Sequence, residues 1–178
     1  NMNNVEIDKK TASLMLSSIA SDTLLFKSPT CTEEDKQVAK KLEEIAGVDM
    51  QSYGLEMLKA GTDLADVEEK DLINMDAKDF NVDNVKFTIA QVNTVSIPDI
   101  VKRQDKIEAA IKDTIKDKNL DLFVFAITDI LNGDSELLVL GDRKDIIEKN
   151  YKLEDNKAFA KGVVSRKKQI LPLVTDNI

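Results

Sequence analysis

The stretch KDFNVDNVKFTIAQV, residues 78–92, decides the fold of the chain. From Val85 to Ile89 its apolar residues alternate with polar ones, which is the period of a strand with one buried face. Asp83-Asn84 interrupts the apolar pattern at the centre, and such a pair is typical of a tight hairpin turn. We therefore predict two antiparallel strands that flank this turn, Lys78–Val82 and Val85–Val92.

The residues beyond the hairpin predict a mixed α/β domain. Isoleucines at helical spacing follow the capping sequence Ser96-Ile97-Pro98-Asp99, so we predict one long helix to about Lys118. Two unbroken apolar runs on either side of Asn132-Gly133 predict central strands that are buried on both faces. In chain order, the predicted elements are the helix 96–118, strands at 122–127 and 136–140, a short helix at 143–149, and a last strand at 169–174, which Pro172 places at an edge of the sheet.

The residues before the hairpin predict helices. Thr11–Ala20 groups its large apolar side chains as one helix face would, so we predict a buried helix there. Thr32-Glu33-Glu34-Asp35 resembles a capping box, and it begins a second helix that Gly47 ends. A third helix is predicted from about Met50 to Ala60. The side chains expected to face inward on the first helix are Leu14, Met15, Leu16 and Ile19.

An acidic stretch separates the helical part from the α/β part. Asp63 to Glu69 follows Gly61, and its composition is typical of an interdomain linker. We therefore predict a boundary there, with residues 1–61 and residues 67–178 as two domains.

The composition of the chain argues against several classes of protein. No apolar run approaches the ~20 residues that a membrane-spanning helix needs. The net charge of −8 opposes nonspecific attraction to nucleic acid or to a membrane surface. The chain has no histidine, so any chemistry of its own must use carboxylates, hydroxyls and cations. Because Cys31 is the single cysteine and residues 1–10 do not resemble a secretory signal, we expect a cytoplasmic protein.

A cluster of basic residues is the first candidate for a functional site. Ser165-Arg166-Lys167-Lys168-Gln169 follows Lys157 and Lys161 in a stretch without an acidic residue from Asn156 through Thr175. Arginine offers a planar fork for phosphate oxygens and lysine offers a mobile charge, so the cluster could hold a small polyanion. On sequence alone, the commoner interpretation is a solvated basic turn.

Two further residues are weaker candidates. Asp22 follows an apolar helix, and its carboxylate could bind a hard divalent cation, although an aspartate at a helix end is more often structural. Lys78 stands at the entry of a predicted strand, and its neighbours Asp76 and Asp79 make a surface ion pair the default interpretation.

Several motifs in the chain resemble the family II, manganese-dependent inorganic pyrophosphatases of the DHH phosphoesterase superfamily. The order and spacing of the motifs agree from about residue 11 to the end. The matching segments are Ser21–Thr30 (SDTLLFKSPT), Tyr53–Gly61 (YGLEMLKAG), Asp76–Lys78 (DAK), Gln91–Val95 (QVNTV), Asn119–Phe123 (NLDLF), Thr128–Ile130 (TDI) and Ser165–Gln169 (SRKKQ).

The resemblance implies a fold and a set of roles. It implies the helical tail end of a DHH domain followed by a compact, mixed-sheet α/β C-terminal domain. Asp22 would be a ligand to Mn²⁺, with Mg²⁺ possible alongside the substrate. Lys78, Arg166 and Lys167 would hold pyrophosphate at a site between the two domains, where a water activated by two metal ions attacks phosphorus.

The Asp-His-His motif of the family has no counterpart in this sequence. We therefore expect a C-terminal portion that does not hydrolyse pyrophosphate alone, whose partner is the missing N-terminal DHH domain and whose parent is a homodimer. Two alternatives stay open. One is an exopolyphosphatase of the same superfamily, which would need a longer basic channel, and the other is a noncatalytic anion-binding or regulatory module.

Overall fold

The computed structural model of the chain describes residues 6–62 and 64–178. The chain divides into two compact units, Asn1–Gly61 and Thr62–Ile178. Asp63, the first residue of the predicted linker, lies outside the described residues, and so do residues 1–5, which belong to the stretch 1–10 that does not resemble a secretory signal. No helix within the described ranges has both the length and the apolar character needed to cross a membrane.

In the first unit, residues 6–61 form three helices, α1 (Lys9–Thr23), α2 (Glu33–Ala46) and α3 (Met50–Gly61). The capping box is confirmed, because Thr32 accepts a hydrogen bond from the Asp35 N–H and the Asp35 carboxylate accepts one from the Thr32 N–H. Gly47 ends α2 in the left-handed conformation, with a φ of 68°.

The inward face predicted for α1 is partly wrong. Leu14 is 62% exposed and Met15 is 40% exposed. The buried positions of α1 are instead Ala12, Leu16, Ala20 and Thr23, spaced at three to four residues, and this helix packs against α2 and α3. Small residues at that spacing let neighbouring helices approach closely, so size as well as apolar character sets the packed face.

The second unit is built on a five-stranded sheet in the order β1-β2-β3-β4-β5. β2 and β3 are parallel, whereas the other neighbouring strands are antiparallel. The hairpin between β1 and β2 is confirmed, and Asp83 and Asn84 turn the chain with positive φ values of 48° and 66°. The strands are β1 (Ala77–Val82), β2 (Val85–Thr94), β3 (Leu122–Asp129), β4 (Asp134–Leu140) and β5 (Lys157–Ala160).

Helices cover both faces of this sheet, which makes the fold mixed α/β as predicted. The central strand β3 is buried along its whole length. One face packs against α4 (Glu69–Leu72), α5 (Ile97–Val101) and α6 (Gln104–Lys118). The other face packs against α7 (Asp145–Glu148), a π-helical turn (Arg166–Ile170) and α8 (Leu171–Thr175).

Two predictions about the second unit are wrong. The helix predicted from Ser96 to Lys118 is two helices, because the chain turns at Lys102-Arg103 and the Arg103 guanidinium reaches back to the carbonyl groups of Leu64 and Val67. The strand predicted at 169–174 is helical. The edge strand β5 was not predicted, since it has only four residues and two of them are alanine.

Candidate functional site

The four residues that the resemblance assigns to a site lie in different units. Asp22 belongs to the first unit, whereas Lys78, Arg166 and Lys167 belong to the second. Each unit is therefore described by itself.

Arg166 is held in place through both its backbone and its side chain. Its N–H donates to Oε1 of Gln91 at 2.9 Å, and its Nη1 donates to the carbonyl oxygen of Asp76 at 2.8 Å. The same Nη1 lies 3.1 Å from Oδ1 of Asp76, and the Arg166 side chain is 16% exposed. The guanidinium is thus fixed at the entry of β1, 90 residues away in sequence.

Gln91 links the sheet to the segment that carries Arg166. Besides accepting the Arg166 N–H, its side chain donates through Nε2 to the carbonyl of Val164 and to Oγ1 of Thr128, both at 2.9 Å. Its backbone N–H donates to the carbonyl of Asp76 at 3.2 Å. One residue of β2 therefore contacts both partners of the Asp76–Arg166 pair.

Two buried hydroxyl groups extend this network across the sheet. Ser135 on β4 donates to the Val163 carbonyl at 2.6 Å, and its Oγ lies 2.8 Å from Oγ1 of Thr128 on β3. Because the Ser135 proton is used on Val163, Thr128 must donate to Ser135, and it is free to accept from Gln91. Each group in this chain of hydrogen bonds therefore donates to the next one, from Gln91 to Thr128, from Thr128 to Ser135, and from Ser135 to the carbonyl of Val163.

A second glutamine shapes the loop from its other side. Oε1 of Gln169 accepts the N–H groups of Val164 and Ser165 at 2.9 and 3.0 Å, and Nε2 donates to the Gly162 carbonyl at 2.8 Å. The Ser165 carbonyl in turn accepts the N–H groups of Gln169 and Ile170. These contacts close a helical turn, which explains why the strand predicted here does not form.

Lys78 lies on the same face of the sheet as the π-helical turn. It shares that face of β1 with Phe80 and Val82, which pack in the same cluster as Ile170. The ion pairs expected with its aspartate neighbours are not made. Asp76 pairs with Arg166, while Asp79 accepts hydrogen bonds from Thr88 at 2.7 Å and from Lys118 at 2.9 Å.

Lys78 and Lys167 are both exposed residues. Within residues 64–178, neither ammonium group has a hydrogen-bond or ion-pair partner. Asp79 is committed to its own contacts, since the Thr88 hydroxyl and then Lys118 stabilise its ionised form and lower its pKa. Arg166 is the third cationic side chain, and its Nη1 is paired with Asp76.

Asp22 occupies the last turn of α1, where its side chain is exposed. It precedes three consecutive left-handed residues, Leu24, Leu25 and Phe26, with φ values of 47°, 53° and 68°. A left-handed conformation costs a residue other than glycine about 1–2 kcal/mol, and such strain is concentrated at functional sites. The turn begins directly after α1, which ends at Thr23.

The described residues contain no group of three or more histidine, cysteine, aspartate or glutamate side chains that could hold a metal ion. Asp22 therefore offers a single carboxylate. A centre with two metal ions does not fit the described part of this chain alone.

Sequence reasoning missed the residues that support Arg166. Asp76, Gln91, Thr128 and Gln169 all fall within the motifs noted above, but no role was predicted for them. One sequence feature could have pointed to these residues. The C-terminal ends of β2 and β3 change from apolar to polar residues, and Asn93 is one of the polar residues there. Oδ1 of Asn93 is buried without a hydrogen-bond partner among the described residues.

Three comparisons connect this chain to known proteins. The DHHA2 domain family matches residues 55–177. The chain is 57% identical over 178 residues to a Bacillus velezensis protein named probable manganese-dependent inorganic pyrophosphatase, covering 99% of this chain and 58% of that protein. It is 56% identical over 176 residues to the manganese-dependent inorganic pyrophosphatase of Bacillus subtilis, covering 98% of this chain and 57% of that protein.

A solved structure is similar over nearly the whole chain. It is the crystal structure of a Methanococcus jannaschii protein described as a candidate family II inorganic pyrophosphatase. The TM-score is 0.86 at 40% sequence identity, and the match covers 98% of this chain and 57% of the other. The chain thus spans less than two thirds of the length of these relatives.

Proposed function

The chain belongs to the DHHA2 domain family, and we propose that it is the substrate-binding C-terminal portion of an inorganic pyrophosphatase, which hydrolyses pyrophosphate to two phosphates. The names of the relatives support the reaction and support Mn²⁺ as its metal. The substrate-binding residues in this proposal are Lys78, Arg166 and Lys167.

One observation carries the proposal. Both aspartates that flank Lys78 are engaged elsewhere, so its ammonium is not neutralised by the partners that the sequence offers. Arg166 contacts Asp76 at the entry of β1, two residues before Lys78. Lys167 follows Arg166 directly in the sequence. In this proposal the three cations together offset the negative charge of pyrophosphate.

These residues bind and orient the substrate. Arginine and lysine side chains neutralise the phosphoryl oxygens, and they stabilise the negative charge that develops on the leaving phosphate. None of the three provides a nucleophile. A fixed guanidinium also lowers the entropic cost of orienting the substrate, because the sheet and loop contacts hold it before binding.

We propose that the metal site is completed by ligands outside the described residues. Asp22 would contribute one carboxylate, and an N-terminal DHH domain would contribute the others. In this proposal the parent protein is a cytoplasmic homodimer, and residues 1–61 are the tail of its metal-binding domain. The 178-residue chain alone is then inactive. In this proposal three cations are enough for pyrophosphate, whereas a long polyphosphate would need a longer basic channel.

The test combines an activity assay with a binding assay on the purified chain. We expect no Mn²⁺-dependent phosphate release, but measurable pyrophosphate binding by calorimetry that Arg166→Ala weakens by about tenfold or more. Arg143→Ala is the matched control, since Arg143 pairs with Asp145 outside the cluster, and we expect a change below about twofold.

Either of two results would overturn part of the proposal. Robust activity that Arg166→Ala abolishes would mean that the chain builds a complete metal site. Equal pyrophosphate affinity in the two arginine variants would remove Arg166 from the binding site.

A further inference from the structure

The contacts of Arg166 are confined to one corner of its guanidinium. Nη1 donates to the Asp76 carbonyl at 2.8 Å and pairs with Oδ1 of the same residue at 3.1 Å. Within residues 64–178, the N–H groups on Nε and Nη2 have no hydrogen-bond partner. The Nε–Nη2 edge therefore keeps two parallel donors, which is the geometry that binds two oxygens of one phosphate group.

The position of Asp76 is set by the sheet. Its carbonyl accepts the N–H of Gln91 at 3.2 Å, one step beyond the paired residues Ala77 and Ala90 of β1 and β2. Oε1 of Gln91 fixes the backbone of Arg166 at 2.9 Å. Gln91 therefore fixes the backbone of both Asp76 and Arg166, so the two side chains start from fixed positions close to each other.

A carboxylate beside a phosphate-binding arginine has two opposite effects. It neutralises part of the positive charge, which weakens the attraction for an anion. It also holds the planar fork in one orientation, which reduces the entropy lost when a ligand binds. The carboxylate of Asp76 is 55% exposed, so solvent screens the neutralising effect, whereas the orienting effect acts through direct contact.

We propose that Asp76 is a positioning residue, which holds the Nη1 corner of Arg166 so that the Nε–Nη2 edge faces a phosphate group of the substrate. The proposal rests on the function proposed above and goes beyond it, since Asp76 itself binds no substrate. Asp76 contacts the Nη1 corner of Arg166 and leaves the Nε–Nη2 edge for the substrate. This arrangement explains why a carboxylate lies beside an arginine that binds an anion.

The experiment compares pyrophosphate binding by the 178-residue chain and its variants in calorimetric titrations at constant salt. Asp76→Ala removes the carboxylate, and we expect an affinity about 3- to 10-fold weaker. Asp76→Asn keeps an oxygen in the same place and is expected to recover binding to within about twofold of the unsubstituted chain. Asp113→Ala removes an equal charge from an exposed position on α6 and is expected to have no effect.

A double-mutant cycle separates positioning from a general loss of stability. Once Arg166 is replaced by alanine, Asp76→Ala should cause no further loss of affinity, because it acts through the arginine. Circular dichroism establishes that each variant is folded. Tighter pyrophosphate binding by both Asp76 variants would overturn the proposal, because it would mean that Asp76 only competes with the anion for positive charge. A lower affinity in the double variant than in Arg166→Ala alone would also overturn it. If Arg166→Ala alone leaves binding unchanged, the proposed function fails first.

Discussion

Replacing Gln91 by leucine is expected to destabilise the second unit by about 2–3 kcal/mol. The side chain of Gln91 makes three hydrogen bonds, each at 2.9 Å. A protein hydrogen bond contributes about 0.5–1.5 kcal/mol net, so three bonds contribute about 1.5–4.5 kcal/mol. Leucine has a similar volume, which limits any cavity, and the half-buried position of Gln91 favours the middle of that range.

Urea unfolding followed by far-ultraviolet circular dichroism measures this change, since the chain has no tryptophan to report on unfolding. The same substitution at Gln37, which is exposed on α2, is the matched control and is expected to change stability by less than about 0.5 kcal/mol. Pyrophosphate binding should also weaken in Gln91→Leu, because Arg166 loses its backbone anchor. An unfolding free energy within about 0.5 kcal/mol of the unsubstituted chain would refute the reasoning.

Two other predictions concern the same unit. Arg103→Met is expected to lower the unfolding free energy by about 2–3 kcal/mol, because two backbone carbonyls and a carboxylate lose the guanidinium that binds them. Lys102→Met removes only an exposed ion pair and should cost less than about 0.5 kcal/mol in the same urea titration, so equal losses would contradict this account. For Glu136, burial raises the pKa of the carboxyl group, with partial compensation by a lysine. The folded state then binds the proton more tightly than the unfolded state does, and stability falls as pH rises from the unfolded pKa through the folded pKa. Glu136→Gln should therefore be more stable than the unsubstituted chain at pH 7 and equally stable at pH 4, and an equal gain at both pH values would argue against titration as the cause.

The elements that the sequence predicted correctly are those specified by neighbouring residues. The capping box of α2 needs only Thr32 and Asp35, and the β1–β2 hairpin needs only its two-residue turn. The central strand β3 is recognisable because an unbroken apolar run has few alternatives to burial on both faces. In each case the signal lies inside the element or at its end.

The elements of the second unit that were predicted wrongly depend in part on distant contacts. Residues 169–174 have the composition of a strand, but the side chains of Gln91 and Gln169 use the N–H groups that precede them and favour a helical turn. The break after α5 accompanies contacts of Arg103 to carbonyl groups more than 30 residues away. The contacts of Gln91 and Arg103 join residues more than 30 positions apart, so a single sequence shows no local trace of them. For the same reason, the role of Asp76 could be inferred only after its contact with Arg166 was known.

Under the proposed function, the charge distribution of the chain is expected to favour small anions. The chain has a net charge of −8, whereas the acid-free stretch from Asn156 to Thr175 carries five of its cations. Screening limits exposed charges to a range of about 8–10 Å, so an anion gains the attraction of Lys78, Arg166 and Lys167 only on close approach. Pyrophosphate can place all of its charge within that range. A long polyanion would extend beyond these three cations, where the net negative charge of the chain opposes its approach, so under the proposed function we expect weaker binding of polyphosphate and nucleic acid than of pyrophosphate.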